Sequence, residues 1–101
     1  MPATPDQRQL RAIGHRLKPV VTIAGKGLSD GVRAELERAL EHHELIKIKL
    51  SVGDRDRRDA VLQELLASHG AELVQRVGNT ALILRRSEHP DPGKSNLLRP
   101  A

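Results

Sequence analysis

A chain of 101 residues holds one domain with one modest core, and without Phe, Tyr or Trp that core must be built from Leu, Ile, Val and Ala. The same absence removes the aromatic platforms on which many single-strand RNA binders stack bases, and the lack of cysteine excludes both a disulfide framework and a cysteine zinc site. The net charge of +4 favours an anionic partner, which would have to be held through phosphates and sugars.

Taken in chain order, the first predicted helix starts at Thr4, with Pro5 at the first helical position and capping-box spacing to Gln7. Leu10, Ile13 and Leu17 can line one face, and Gly14 marks the expected end. Pro19 forces an extended entry into Val20-Val21-Thr22-Ile23, a short β-branched strand. The loop Ala24-Gly25-Lys26-Gly27-Leu28 follows, and Ser29 is a suitable N-cap for a helix running to about His43. The run Leu45-Ile46-Lys47-Ile48-Lys49-Leu50 then alternates as a strand with one buried and one partly wet face. Gly53-Asp54 breaks it, Asp54 can cap a third helix to about His69, and Gly70 sits where that helix should stop. Two last strands, 71–77 and 80–86, flank the hairpin pair Gly78-Asn79. Residues 87–101 carry three prolines and no periodicity, and are expected to be disordered, with Leu97-Leu98 available to dock on a partner.

The order α-β-α-β-α-β-β predicts a single compact α/β (α+β) domain over 4–86. A right-handed strand–helix–strand crossover gives a parallel pair and the final hairpin an antiparallel one, so the four-stranded sheet is mixed. No apolar run approaches the roughly 18 residues that cross a bilayer. The N-terminus lacks the charged-then-apolar pattern of a secretory signal, so a soluble, cytoplasmic protein is the default expectation.

Charge is sorted by element. Arg8, Arg11, Arg16, Lys18 and Lys26 share the first 28 residues with one carboxylate, Asp6, whereas Asp30, Glu35, Glu37, Glu41 and Glu44 outnumber Arg33 and Arg38 on the second helix. Lys47 and Lys49 restore positive charge on the next strand. Sorting of this kind points to one basic face.

The chain resembles the CRM domain, the chloroplast RNA splicing and ribosome maturation module, and most closely its stand-alone bacterial YhbY-like form. The carriers are Leu17-Lys18-Pro19-Val20-Val21, Gly25-Lys26-Gly27-Leu28, Ala39-Leu40-Glu41-His42-His43-Glu44-Leu45-Ile46-Lys47-Ile48-Lys49, and Val77-Gly78-Asn79-Thr80. The third is the most specific, because helix end, turn and basic strand occur together. The resemblance implies a fold like the C-terminal domain of translation initiation factor three, RNA binding, and for the bacterial members a role with precursors of the large ribosomal subunit. The family loop reads Gly-x-x-Gly and resembles the KH-domain clamp. Ala24 stands at its first position; a positive φ there would cost about 1 kcal/mol or more, and the turn could instead fall on Gly25 and Gly27. The last strand often ends on an aromatic in this family, where this chain has Leu84 before Arg85.

The chemistry at these positions is phosphate chemistry. Gly25 and Gly27 allow backbone to approach a phosphate, the unsatisfied N–H groups from Leu28 onward point outward, and Lys26 adds a mobile charge. A tight connection with an exposed lysine is the plainer account of the same residues. Lys47 and Lys49 share a strand face at about 7 Å, near the distance between phosphates along one RNA strand, although lysines also keep sheet edges soluble. Lys18 stands at the entry to the first strand and could join that surface. Arg85 and Arg86 end the last strand, where alternation would send them to opposite faces and let at most one contribute.

His42 and His43 are adjacent and so do not share a helix face as a metal pair would; a C-terminal cation favourable to the helix dipole is the better account. Asp54, Asp56 and Asp59 lack the length and glycine of a calcium loop. No P-loop, dinucleotide fingerprint or nucleophile–base arrangement is present. The sequence therefore points to a monomeric, non-enzymatic RNA-binding protein without cofactor, membrane or small-molecule substrate. A protein-interaction adaptor using the acidic helix or the tail is the alternative.

Overall fold

The computed structural model describes residues 6–97. The elements are α1 (Gln7–His15), β1 (Pro19–Ala24), α2 (Asp30–His43), β2 (Leu45–Ser51), α3 (Arg55–His69), β3 (Glu72–Val77) and β4 (Thr80–Leu84). Helix α1 begins later than Thr4, which with Pro5 lies outside the described residues. Asp6 is the cap: its carboxylate accepts from Gln9 N at 2.8 Å, and Gln9 Oε1 accepts from Asp6 N at 2.9 Å. The capping box is thus Asp6-x-x-Gln9, in which a carboxylate also complements the helix dipole. Ser29 and Asp54 cap α2 and α3 as expected, and Gly70 closes α3 at φ 63°.

The sheet order is β1-β2-β4-β3, with β1 and β2 parallel across α2 and the other pairs antiparallel. Because β1 and β2 are parallel, the loops leaving them emerge at the same end of the sheet. The antiparallel β3–β4 hairpin turns at that end as well, since Lys49 pairs with Thr80 and Leu50 N donates to Asn79 O at 2.6 Å.

Helices α2 and α3 cover one face, burying Ile23, Leu36, Leu40, Ile46, Ile48, Leu50, Leu62 and Leu65. Helix α1 covers part of the other, with Leu10 against Leu45, Leu82 and Leu84. Lys47 and Lys49 lie on this second face, so it is wet only beyond the reach of α1: Lys49 is exposed and Lys47 half-buried.

Gly14 lies one residue before the end of α1 at His15. It is buried within the helix, where an added Cβ would lie 2.2 Å from Leu82 Cδ2. Its role is close approach of helix to sheet. Gly14→Val should destabilise the fold by about 2 kcal/mol or more, overpacking adding to the poor helix propensity of a β-branched residue. A denaturant midpoint equal to that of the wild type would remove this account.

The tail departs from expectation too. Residues 88–97 fold back on the end of α2 instead of lacking structure. Ser95 is fully buried, its Oγ donating to Glu44 Oε1 at 2.6 Å, and Asn96 bonds the carbonyls of His43 and Leu45. Leu97 packs beside α1 on the smaller core, while Leu98 lies outside the described residues.

Candidate nucleic-acid interface

The turn after β1 falls on Gly25 (φ 52°) and Gly27 (φ 75°), and Ala24 remains in the strand. The loop is held by Gly27 N to Ala24 O (3.1 Å) and Ser29 N to Gly27 O (3.0 Å). The two glycines then differ in use. Gly25 is exposed, with open space where a Cβ would stand, whereas Gly27 is buried and a Cβ there would stand in ordinary contact with the Arg57 guanidinium at 3.7 Å, so its positive φ is what favours glycine. Leu28 packs against the main core and anchors the loop. Arg33 reinforces it, its Nε donating to Leu28 O at 3.3 Å while its Nη2 bridges to Glu64 of α3 at 2.9 Å.

Sequence-predicted residues separate into two groups. Gly25, Lys26, Gly27, Leu28 and Lys49 converge at the loop end of the sheet, and Lys47 sits one pleat repeat further back beside α1. Lys18 adjoins the strand partner of Lys47 but lies at the end of β1 far from the glycine loop. It precedes β1, whose first residue pairs with Lys47, and the six strand residues before the loop span on the order of 20 Å.

Arg85 and Arg86 lie at the opposite end. Strand β4 stops at Leu84, so strand alternation does not govern them, and carboxylates of α2 claim both. Arg85 Nη1 donates to Glu37 Oε2 at 2.9 Å and to His69 O at 3.1 Å, and its Nη2 lies 3.6 Å from Glu41. Arg86 Nε donates to Glu44 Oε2 at 3.1 Å. The acidic side of α2 is thereby largely neutralised from within the fold.

His69 Nδ1 completes that network by donating to Glu37 Oε1 at 2.8 Å. Hydrogen bonds from His69 and Arg85 hold the Glu37 carboxyl below its ordinary range, outweighing the opposing effect of burial. A carboxyl depressed in the folded state stabilises the fold above its unfolded pKa, and that contribution is lost as pH falls through the lower folded value. Melting temperature measured between about pH 6 and pH 2 should therefore fall more steeply for the wild type than for Glu37→Gln; parallel curves would contradict the linkage.

Four arginines that periodicity did not single out complete the loop end. Arg55, Arg57 and Arg58 follow the Asp54 cap, and Arg76 comes from β3, where it pairs with Asp59. Among the described residues, Lys26, Lys49, Arg55, Arg57 and Arg58 form no ion pair with a carboxylate. The signal for them was available: a parallel β1/β2 pair places the N-terminus of α3 beside the glycine loop, so Arg55-Asp56-Arg57-Arg58 belongs to the same edge. No group of His, Asp and Glu among the described residues could hold a metal ion.

Comparison with known proteins follows the same line. A family model for the CRS1 / YhbY (CRM) domain matches residues 4–85. A probable RNA-binding protein of Pseudomonas aeruginosa is 49% identical over 94 residues, covering 93% of this chain and 90% of that protein. An RNA-binding protein of Haemophilus influenzae is 38% identical over 86 residues, covering 85% and 87%. The solution structure of a hypothetical protein from Staphylococcus aureus, proposed to bind RNA, superposes with a TM-score of 0.71 at 27% identity, covering 88% of this chain and 93% of that one.

Proposed function

This chain belongs to the CRS1 / YhbY (CRM) domain family, and from that premise we propose that it binds structured ribosomal RNA during assembly of the large ribosomal subunit. The observation that carries the reading is the loop end of the sheet, where Lys26 and Arg57 flank the Gly25–Gly27 turn and Lys49 lies at the same end, with no carboxylate taking their charge among the described residues. Cations left unpaired on one surface beside an open backbone turn and two helix N-termini suit phosphates along an RNA chain. With no Phe, Tyr or Trp to stack a base, recognition rests on backbone shape and phosphate geometry. The protein acts as a cytoplasmic monomer that positions RNA and performs no chemistry on it.

An adaptor acting through the acidic helix is the weaker reading, because Glu37, Glu41 and Glu44 are already engaged by Arg85, Arg86 and His69. The experiment is sedimentation of the native protein in cell lysate at low and raised salt, paired with competition between large-subunit RNA and duplex DNA for the purified protein. Migration with particles slightly lighter than the mature large subunit, lost at raised salt, is expected. Free protein at both salts would end the ribosomal assignment, and equal competition by duplex DNA would reduce it to general nucleic-acid binding.

A further inference from the structure

Beyond the glycine loop, the same end of the sheet carries a cleft of about 740 Å³ lined by Arg55, Arg58, Arg76, Gly78 and Asn79. We propose that this cleft, between the first turn of α3 and the β3–β4 hairpin, is a second RNA phosphate site. The inference rests on the RNA reading above and extends it to a separate place on the surface.

Three guanidinium groups enter the cleft from two elements, and Asp59 engages one of them, Arg76. Arg58 adds an independent sign. Its Nε is shut off from solvent yet has no hydrogen-bond partner. Its N–H lies behind the cleft surface, so an anion would satisfy it only once the Arg58 side chain turns toward the cleft. Gly78, at φ 58° with open space around its Cβ position, keeps side-chain bulk off the rim of the hairpin. Guanidinium forks suit two oxygens of one phosphodiester, and the charged rim suits an anion better than an apolar ligand.

The geometry also fits one RNA strand crossing both sites. The glycine loop leaves β1 and the hairpin joins β3 to β4, so two to three strand spacings, roughly 10 to 15 Å, separate them across the sheet edge. Lys49, paired with Thr80 at the start of β4, lies between the two along the sheet edge, on the face opposite α3.

The test measures affinity of the full chain for in vitro transcribed large-subunit ribosomal RNA over a salt series, for wild type, Arg55→Gln, Arg58→Gln and Lys26→Gln. Lys94→Gln, in the tail at the far end of α2, is the control. Each cleft variant should reduce the log–log salt slope by about one and weaken binding by about tenfold, as loss of one phosphate contact does, with Lys94→Gln unchanged. Arg55 is exposed at the first position of α3, so its variant separates binding from folding even if Arg58→Gln lowers the melting temperature. Unchanged slopes for both cleft variants, with Lys26→Gln still reduced, would overturn the second site and leave the RNA reading standing. Absence of RNA binding by the wild type would overturn both.

Discussion

Changing Lys26, Lys49 and Arg57 together to glutamine is expected to lower the salt dependence of RNA binding by about two to three units of log–log slope. Lys26 and Arg57 line one hollow beside the glycine turn and Lys49 lies at the same end of the sheet, and among the described residues none is paired with a carboxylate. Each should therefore release about one counterion's worth of phosphate contact on binding. Melting should shift little, because exposed, unpaired cations contribute little to stability. Lys18→Gln, at the start of β1, should leave the slope unchanged, and Arg85→Gln should destabilise the protein by removing the bridge to Glu37, Glu41 and His69 O. If Lys18→Gln and the triple variant gave the same slope, a diffuse basic surface would replace a localised site.

The largest loss of stability is expected at Glu44. Its side chain is fully buried, yet three donors meet it: Ser95 Oγ at 2.6 Å, Ser87 N at 2.7 Å and Arg86 Nε at 3.1 Å. Burial alone would raise its pKa, but those hydrogen bonds and the Arg86 charge hold it below the usual range. Its backbone is equally occupied, closing α2 through Leu40 O and accepting from Arg85 N. Glu44→Ala strands the buried donors and opens a void, costing about 3 kcal/mol, which for a domain of this size lowers the melting temperature by roughly 10 to 20 °C.

Glu44 also adopts φ 62°, ψ −55°, a conformation unfavourable for a residue with a side chain. Glu44→Gly should lose the same network but recover about 1 kcal/mol of that strain, and so melt above Glu44→Ala. Alanine and glycine variants within a degree of the wild type would show that the network contributes nothing net.

This site gives a physical account of the most specific stretch of the sequence, Ala39 to Lys49. The helix end, the turn and the basic strand occur together there because one buried carboxylate ties α2, the end of β4 and the tail into a single knot. Nothing in periodicity marks Glu44 for that role, since a glutamate after two histidines at a helix end reads as surface charge. The order of the tail escapes periodicity for the same reason, because the side chains of Ser95 and Asn96 bond partners some fifty residues away.

The elements and their order follow from local chemistry. Caps at Ser29 and Asp54, the stop at Gly70, the Gly78-Asn79 turn, the alternation of β2 and the crossover rule specify the elements, their order and the mixed sheet, because each depends on residues within a few positions of one another. Which charges stay available depends on long-range packing. Parallel β1 and β2 bring Arg55, Arg57 and Arg58 beside the glycine loop, while the end of β4 delivers Arg85 and Arg86 to the carboxylates of α2. The physical reason is that a cation's availability depends on whether folding brings a carboxylate within a few ångströms, and that distance is set by the packing of elements far apart in the chain.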